Sequence, residues 1–384
     1  MAPKERVQAA LAHREPDRVP TGEFAVDYKI IEAVLGRPTF WRAKAKLTKA
    51  LWEGRRDEVV ASQKRDAVDF ALAAGLDMVA VNCVPAAGVR PPVPRQVDEN
   101  TWEDEAGNLL AYSPLTEDIG IVRLGDGGKP SRTVEQPFHE SEMEVARYVV
   151  ERLGKTHFIF ARPGRAGTGV GFPSGLGIER EYLRIADDPE GLAHDLLAGA
   201  EHMAEAIKPF VELGVDGIAI GHDFGHNTGP FMSPRHFRQI YFPAMRRQCE
   251  IIHQAGLPVL YHSCGNNRLL LEMMVEAGMD CYQAIQPVEH IEEIKALYGD
   301  RLTLWGGVAT SSLASATPEQ IRQETLFSLK HCAPGGGFIL GSSHSITIGT
   351  RLENYLTMLE TNRTRGTYPI AIPEDIPEPD WAMA

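Results

Sequence analysis

A chain of 384 residues, 43% hydrophobic and 24% charged, has the composition of a globular protein, with length for one large barrel or two ordinary domains. Its formal charge of -13, from 52 acidic against 39 basic residues, argues against gripping a phosphate backbone, so no nucleic-acid partner is expected. No apolar run reaches the roughly 18 residues of a membrane span, the start Met1-Ala-Pro-Lys-Glu-Arg6 lacks a signal-peptide core, and five cysteines (83, 249, 264, 281, 332) are an odd set for a disulfide framework, so the expectation is a cytoplasmic protein with no membrane partner.

In chain order, residues 3–14 read as a helix, with Val7 and Leu11 on one face and Pro16 and Pro20 ending it. Arg18 to Phe24 then leads into the body of the fold, and 38–75 has a charged helical pattern. After that a unit recurs: a helix ends in Gly, one or two residues follow, and a short β-rich apolar run begins. It is seen at Gly75-Leu-Asp-Met-Val-Ala-Val-Asn82, Gly214-Val-Asp-Gly-Ile-Ala-Ile-Gly221, Gly256-Leu-Pro-Val-Leu-Tyr-His262 and Gly278-Met-Asp-Cys-Tyr-Gln-Ala284. Glycine suits the position after a helix because it takes positive φ without a Cβ clash. Runs at 157–161, 302–307 and 337–341 are further strands. The run 119–123 is either an eighth strand or half of a hairpin in the loop-rich acidic stretch 85–140.

Amphipathic helices are clearest at 189–213, 234–255 and 318–332. Short apolar strands alternating with helices indicate a parallel sheet. Seven or eight such units indicate an α/β fold of the (β/α)8 TIM-barrel kind, with an N-terminal helical extension (1–70), inserted loops and a C-terminal tail (368–384) around one domain spanning 1–384. Gly169-Val-Gly171 is followed by Phe172-Pro-Ser174, so a dinucleotide fingerprint fails there.

In such a barrel the C-terminal strand ends build the site, so the reactive side chains that follow each strand are the candidates. The third Gly-led strand ends in His262-Ser-Cys264-Gly265-Asn-Asn267. An imidazole and a thiol two residues apart, with a Gly to turn the chain, suit zinc; the bland alternative is a buried thiol beside a hydrogen-bonding histidine. Ser342-Ser-His344-Ser345 puts a second histidine among small hydroxyl residues, as a third ligand, a proton donor or a substrate anchor. In His222-Asp223-Phe-Gly-His226-Asn227 the Asp is placed to orient an imidazole, ligate a metal or take a proton, or simply to stabilise its loop. Asn82 and Cys83 end the first core strand, and Glu23 lies in the lead-in segment. Arg180 and Tyr182 follow a Gly- and Pro-rich stretch from 171 that either binds an anion or is only a turn.

Together these residues resemble the uroporphyrinogen decarboxylase superfamily, which includes corrinoid- and coenzyme M-linked methyltransferases. The likeness covers most of the chain: Lys4-Glu-Arg through Pro16-Asp-Arg-Val-Pro20, the stretch 214–310 with His-Asp-Phe-Gly225, Met232-Ser-Pro, His262-Ser-Cys-Gly-Asn, Ile285-Gln-Pro and Trp305-Gly-Gly-Val, and the close Gly335-Gly-Gly-Phe-Ile-Leu-Gly-Ser-Ser-His344. It implies a (β/α)8 barrel. The cofactor-free decarboxylases of that family hold a polycarboxylate with an Arg-rich N-terminal motif and place an Asp after the first core strand. Here the corresponding stretches are Thr21-Gly-Glu-Phe-Ala-Val-Asp27 and Asn82-Cys-Val84, and Glu23 with Asp27 is expected to repel such a substrate. Tyr182 and His344 do match the decarboxylase Tyr and His.

His262 and Cys264 match the His-x-Cys-Gly of the methyltransferase branch. The thiol-methylating members take a third zinc ligand from a Cys where this chain has His344. The resemblance therefore implies a methyltransferase moving a methyl group between a small substrate, a methoxy-aromatic being one form, and a corrinoid (cobalamin) on a partner protein. This chain has no Asp-x-His-x-x-Gly run to bind the corrinoid itself. Asp223, His262, His344 and Tyr182 would be catalytic, Glu23, Asn82, Cys83, His222 and Arg180 would bind substrate, and His262, Cys264 and His344 would hold Zn2+, in a chain free to form oligomers. The alternatives are a cofactor-free lyase acting on a small carboxylate, and a non-catalytic corrinoid- or metal-binding accessory protein.

Overall fold

The computed structural model of the chain describes residues 1–125, 138–164, 176–374, 376–377 and 379. Seven short strands form one parallel sheet: β1 (Met78–Val81), β2 (Phe158–Ala161), β3 (Gly217–Gly221), β4 (Val259–His262), β5 (Cys281–Ile285), β6 (Thr303–Val308) and β7 (Phe338–Ser342). They lie side by side in the order of the sequence. Every residue of β2, β4, β5, β6 and β7 is buried, which is why these runs read as apolar throughout instead of alternating. The Gly residues that lead β1 and β3 sit at φ 66° and 85°, as a left-handed helix end requires.

The two faces of the sheet have different company. One face packs beneath the helices. The other contributes Met78, Phe158, Phe160, Leu260, Trp305 and Ile339 to a separate inner cluster. Helix α1 (Pro3–Leu11) closes this inner cluster from the strand starts. Val7 and Ala10 join it, Lys4 N donates to Thr156 O at 2.8 Å ahead of β2, and Thr303 Oγ1 donates to Ala10 O at 3.2 Å at the start of β6. Arg6 and Arg18 both pair with the buried Asp77 at 2.9 Å, which pins the lead-in segment there. With that end filled, the strand C-termini are left for chemistry.

The parallel sheet has seven strands among the described residues, where seven or eight were expected for a (β/α)8 barrel. The lead-in segment touches both of its edges: Leu340 N donates to Pro20 O (2.9 Å), Gly22 N to Leu340 O (3.0 Å) and Asp77 N to Thr21 O (2.8 Å). These form only isolated bridges beside β7. The run 119–123 belongs instead to a four-stranded antiparallel sheet, Arg95–Asp98, Thr101–Glu103, Leu109–Ser113 and Asp118–Arg123, inserted after β1. Its residues are half-buried or exposed, so it lacks the two buried faces of a barrel stave.

Two of the long predicted helices are interrupted. The first divides into Pro189–Glu201 and Met203–Leu213, and the second reaches its regular part, Phe242–Gln254, through a π-turn at Phe237–Tyr241 just ahead of Pro243. The third, Pro318–Cys332, is intact behind a Thr317 cap. Among the described residues no helix is long and apolar enough to cross a membrane.

Candidate active site

The parallel register sets His262, the last residue of β4, beside Gln283 of β5. The two side chains are hydrogen bonded, Nδ1 to Oε1. A carbonyl oxygen only accepts, so Nδ1 donates to it and Nε2 is the ring nitrogen left for other partners. Nε2 faces Cys264 Sγ at 3.2 Å and lies 3.5 Å from Asp223 Oδ1. Phe24 of the lead-in segment stacks on the imidazole, ring centroids 4.6 Å apart, and fixes its plane. Gln283 Nε2 finds no partner among the described residues, so part of the cost of placing His262 is a buried unsatisfied amide of about 1–3 kcal/mol.

The turn after His262 is tightly specified. Gly265 has φ 84°, and a Cβ there would run into the backbone of Gly225. Cys264 N donates to Asp223 Oδ1 at 3.0 Å, and Asn267 Nδ2 gathers the Cys264 and Gly265 carbonyls at 3.0 and 3.2 Å. The loop after β3 is thereby tied to the loop after β4 through Asp223. Burial pushes the Asp223 carboxyl up, but the His262 imidazole and the Cys264 N–H outweigh it and hold it below the usual range. Burial and Asp223 push the Cys264 thiol up, so it needs a nearby cation to become a thiolate.

His344, two residues past β7, completes the group. Its ring stands edge-on to His262 with centroids 5.6 Å apart, and one ligand atom from each of His262, Cys264 and His344 falls within 4.8 Å of the others. Burial, with His262 adding to it, lowers His344 below the ordinary histidine value and favours the neutral, ligand-competent imidazole.

Tyr182, on the helix Leu176–Asp187, donates its hydroxyl to the Asp223 carbonyl. Beside it, His222 is buried and bonded through Nε2 to Glu181 Oε1 at 2.6 Å, with Tyr241 OH on the same oxygen at 3.0 Å. His222 is thus a support for the Asp223 loop, while His226 is exposed.

Residues 180–365, just under half of the chain, match the model of the family described as Uroporphyrinogen decarboxylase (URO-D). A methylated-thiol–coenzyme M methyltransferase of Methanosarcina mazei is 27% identical over 129 residues, 33% of this chain and 32% of that protein. A uroporphyrinogen decarboxylase of Hydrogenovibrio crunogenus is 24% identical over 164 residues, 42% of this chain and 44% of that protein. These alignments span less than half of either relative. A solved methyltransferase from Methanosarcina mazei shares the fold over 95% of this chain and 99% of its own, with a TM-score of 0.64 at 17% identity. The curated relatives thus include a methyltransferase and a decarboxylase, and the solved structure shares the fold.

Four expected positions look different in the structure. Glu23 is buried, not open to substrate: Ser342 N and Oγ meet its carboxyl at 3.2 and 2.6 Å. Ser342 Oγ also contacts the His344 carbonyl. Ser342 N and Oγ donate to Glu23, bonds that favour its charged form. Burial outweighs them and raises Glu23 to about 8. Asp27 is neutralised by Arg42 (3.1 Å) and Lys44 (3.2 Å). The expected repulsion of an anionic substrate by Glu23 and Asp27 therefore fails, because neither presents net charge. Arg180 is exposed on its helix, and Cys83 is half-buried against the outer core. The Gly- and Pro-rich stretch leading to Arg180 lies mostly outside the described residues.

Glu23 carries a stability prediction. Its carboxyl is raised from 4.5 to about 8 on folding, so above pH 4.5 the unfolded chain releases a proton that the folded chain keeps. Wild-type stability then falls as pH rises from 4.5 towards 8. Glu23→Gln is neutral throughout, and its side-chain oxygen can still accept from Ser342. Its Tm relative to wild type is expected to improve by on the order of 5 °C between pH 4 and pH 8; a difference independent of pH, followed by thermal denaturation, would contradict the neutral carboxyl.

One residue was missed. Arg162 directly follows β2, donates through Nε to Asn82 Oδ1 at 2.8 Å, and sits over the Phe24 ring at 5.0 Å. Its place after the strand His157–Ala161 was the signal, by the same rule that picked out His262 and His344.

Proposed function

We propose that the chain is a methyltransferase that moves a methyl group between a small substrate, such as a methoxy-aromatic, and a corrinoid carried by a partner protein. The observation that carries this reading is the convergence of His262 Nε2, Cys264 Sγ and His344 at the strand ends. The donor set fits zinc: a His262 ring held through Nδ1 by Gln283, a neutral His344 and a thiol whose ionisation awaits a cation leave a fourth position for substrate. A zinc ion held by these residues would supply Lewis acidity towards the substrate oxygen or sulfur.

The protein's own residues divide the remaining work. Gln283 and Phe24 hold the His262 ring. Asp223 anchors the Cys264 backbone and, with its carboxyl charged, is placed to take or hold a proton next to His262 Nε2. Tyr182 steadies Asp223 through its carbonyl. The lyase alternative asks Tyr182 for a free hydroxyl, and here that hydroxyl is already committed, which favours methyl transfer. In the same reading residues 1–384 act as one (β/α)8-type domain whose strand-end mouth faces the corrinoid protein, in a cytoplasm that keeps the five cysteines reduced.

The test is a transfer assay. Purified protein is mixed with a methyl-accepting corrinoid protein and a panel of methoxy-aromatics and methylated thiols, and methyl-corrinoid formation is read by absorbance. Turnover with at least one of them is expected. Absence of transfer with release of CO2 from a small carboxylate would replace this reading by the lyase.

A further inference from the structure

Arg162 is a charged group in search of a counter-ion. It is half-buried, and burial together with neighbouring Arg42 pushes its guanidinium down to about 9. Arg42 and Lys44, the cations on the same side, are already matched by Asp27. Arg162 has no carboxylate partner among the described residues. Its Nε is spent on Asn82, which leaves both Nη groups, a planar fork suited to a carboxylate, without a protein acceptor there. Desolvating a charge without a partner is unfavourable, so such a group is kept where something else supplies the partner.

The location says what that something is. Phe24 stacks on His262 at 4.6 Å and lies under Arg162 at 5.0 Å, so the guanidinium stands within about 10 Å of the candidate zinc ligand. A single aromatic ring with a substituent at each end is long enough to reach from one to the other alongside the Phe24 ring. The acids that could have filled the role do not: Glu23 bonds to Ser342 and Asp27 to Arg42 and Lys44, while Asp223 faces His262.

We propose that Arg162 is the anchor for a carboxylate on the substrate, so that the methyl donor is an anionic aromatic ether with its carboxylate on Arg162 and its methoxyl at His262. Asn82, through Nε, is the positioning residue that aims the fork. The assignment of the ether end rests on the proposed methyl transfer; the carboxylate end does not.

Binding without turnover separates the two. Wild type and Arg162→Gln are titrated with benzoate, benzamide and inorganic phosphate by calorimetry and thermal shift, with no corrinoid protein present. Benzoate is expected to bind wild type at least tenfold more tightly than benzamide or phosphate, and this preference is expected to vanish in Arg162→Gln. The unliganded variant should melt no lower than wild type, because an uncompensated charge has been removed. Arg162→Lys, which keeps the charge and loses the fork, should restore part of the preference. Equal binding of benzoate and benzamide to wild type, an unchanged preference in Arg162→Gln, or tighter binding of phosphate would overturn the assignment. Methyl transfer from 4-methoxybenzoate against 4-methoxybenzamide is the second readout. A preference of about 100-fold in kcat/KM that Arg162→Gln abolishes supports the whole inference. Arg162-dependent benzoate binding with no methyl transfer leaves the anchor standing and removes the proposed reaction. Transfer equally fast from both ethers, in wild type and variant, does the reverse.

Discussion

His262→Ala is expected to empty the metal centre and stop turnover. Zinc measured in the purified protein should fall from near one ion per chain to background, and methyl transfer by on the order of 1,000-fold or more. The reasoning rests on where the imidazole is held. Its Nδ1 is occupied by Gln283, so Nε2 is the atom available to an ion, and it already lies 3.2 Å from Cys264 Sγ. Cys264→Ala should behave alike for a different reason: it removes the one ligand that brings negative charge, and the thiol it replaces has no other route to ionisation in this pocket. Gln283→Leu gives the graded case. It keeps the three ligands and frees the ring to turn, so metal affinity should weaken by roughly 10–100-fold without being lost. Wild-type protein that purifies without zinc, takes none up on dialysis against it and still transfers methyl groups would remove the metal from the mechanism.

How much of this could be read in advance varies with the physical origin of each feature. The Gly residues at 75, 214, 256 and 278 announce the strands because the left-handed turn after a helix is a local demand, visible in one residue. His262, Cys264 and Gly265 are legible for the same reason: two donors and the residue that turns the chain are contiguous. Gln283 is not, since its partnership with His262 exists only through the register of β4 on β5. Phe24 is similarly hidden, for it comes from the lead-in segment across the sheet. Glu23 was misjudged because charge was assigned from residue type. Its neutrality comes from burial, which outweighs the bonds from Ser342, some 300 positions away. The run 119–123 stayed open between an eighth strand and half of a hairpin because strand propensity does not tell a parallel partner from the antiparallel one it has. Arg162 differs from all of these. It stood at a strand end in plain view, and only its lack of a counter-ion among the described residues, a tertiary fact, makes it conspicuous.

Asp223→Asn should separate holding the ion from using it. Asparagine keeps the shape, and its Oδ1 can still accept from Cys264 N at the position now 3.0 Å away, so the Cys264 loop and the zinc content should survive. What is lost is the charge 3.5 Å from His262 Nε2. Asp223 is held below the ordinary carboxylate range, so in wild type it is ionised throughout the neutral range and available to accept or hold a proton. Removing that capacity should lower kcat by on the order of 100- to 1,000-fold with KM little changed, because the group is needed when charge moves and not when substrate docks. The sign for stability of the metal-free protein follows from the same depression. Asp223 stabilises the fold above its unfolded value of 3.8, and that contribution is lost as pH falls through its lower folded value. Metal-free wild type should therefore exceed Asp223→Asn in Tm at pH 7 and converge with it as the pH drops below 4. A variant that keeps full turnover would reduce Asp223 to a loop tether. One that loses zinc as completely as His262→Ala would instead make it part of the metal's own shell.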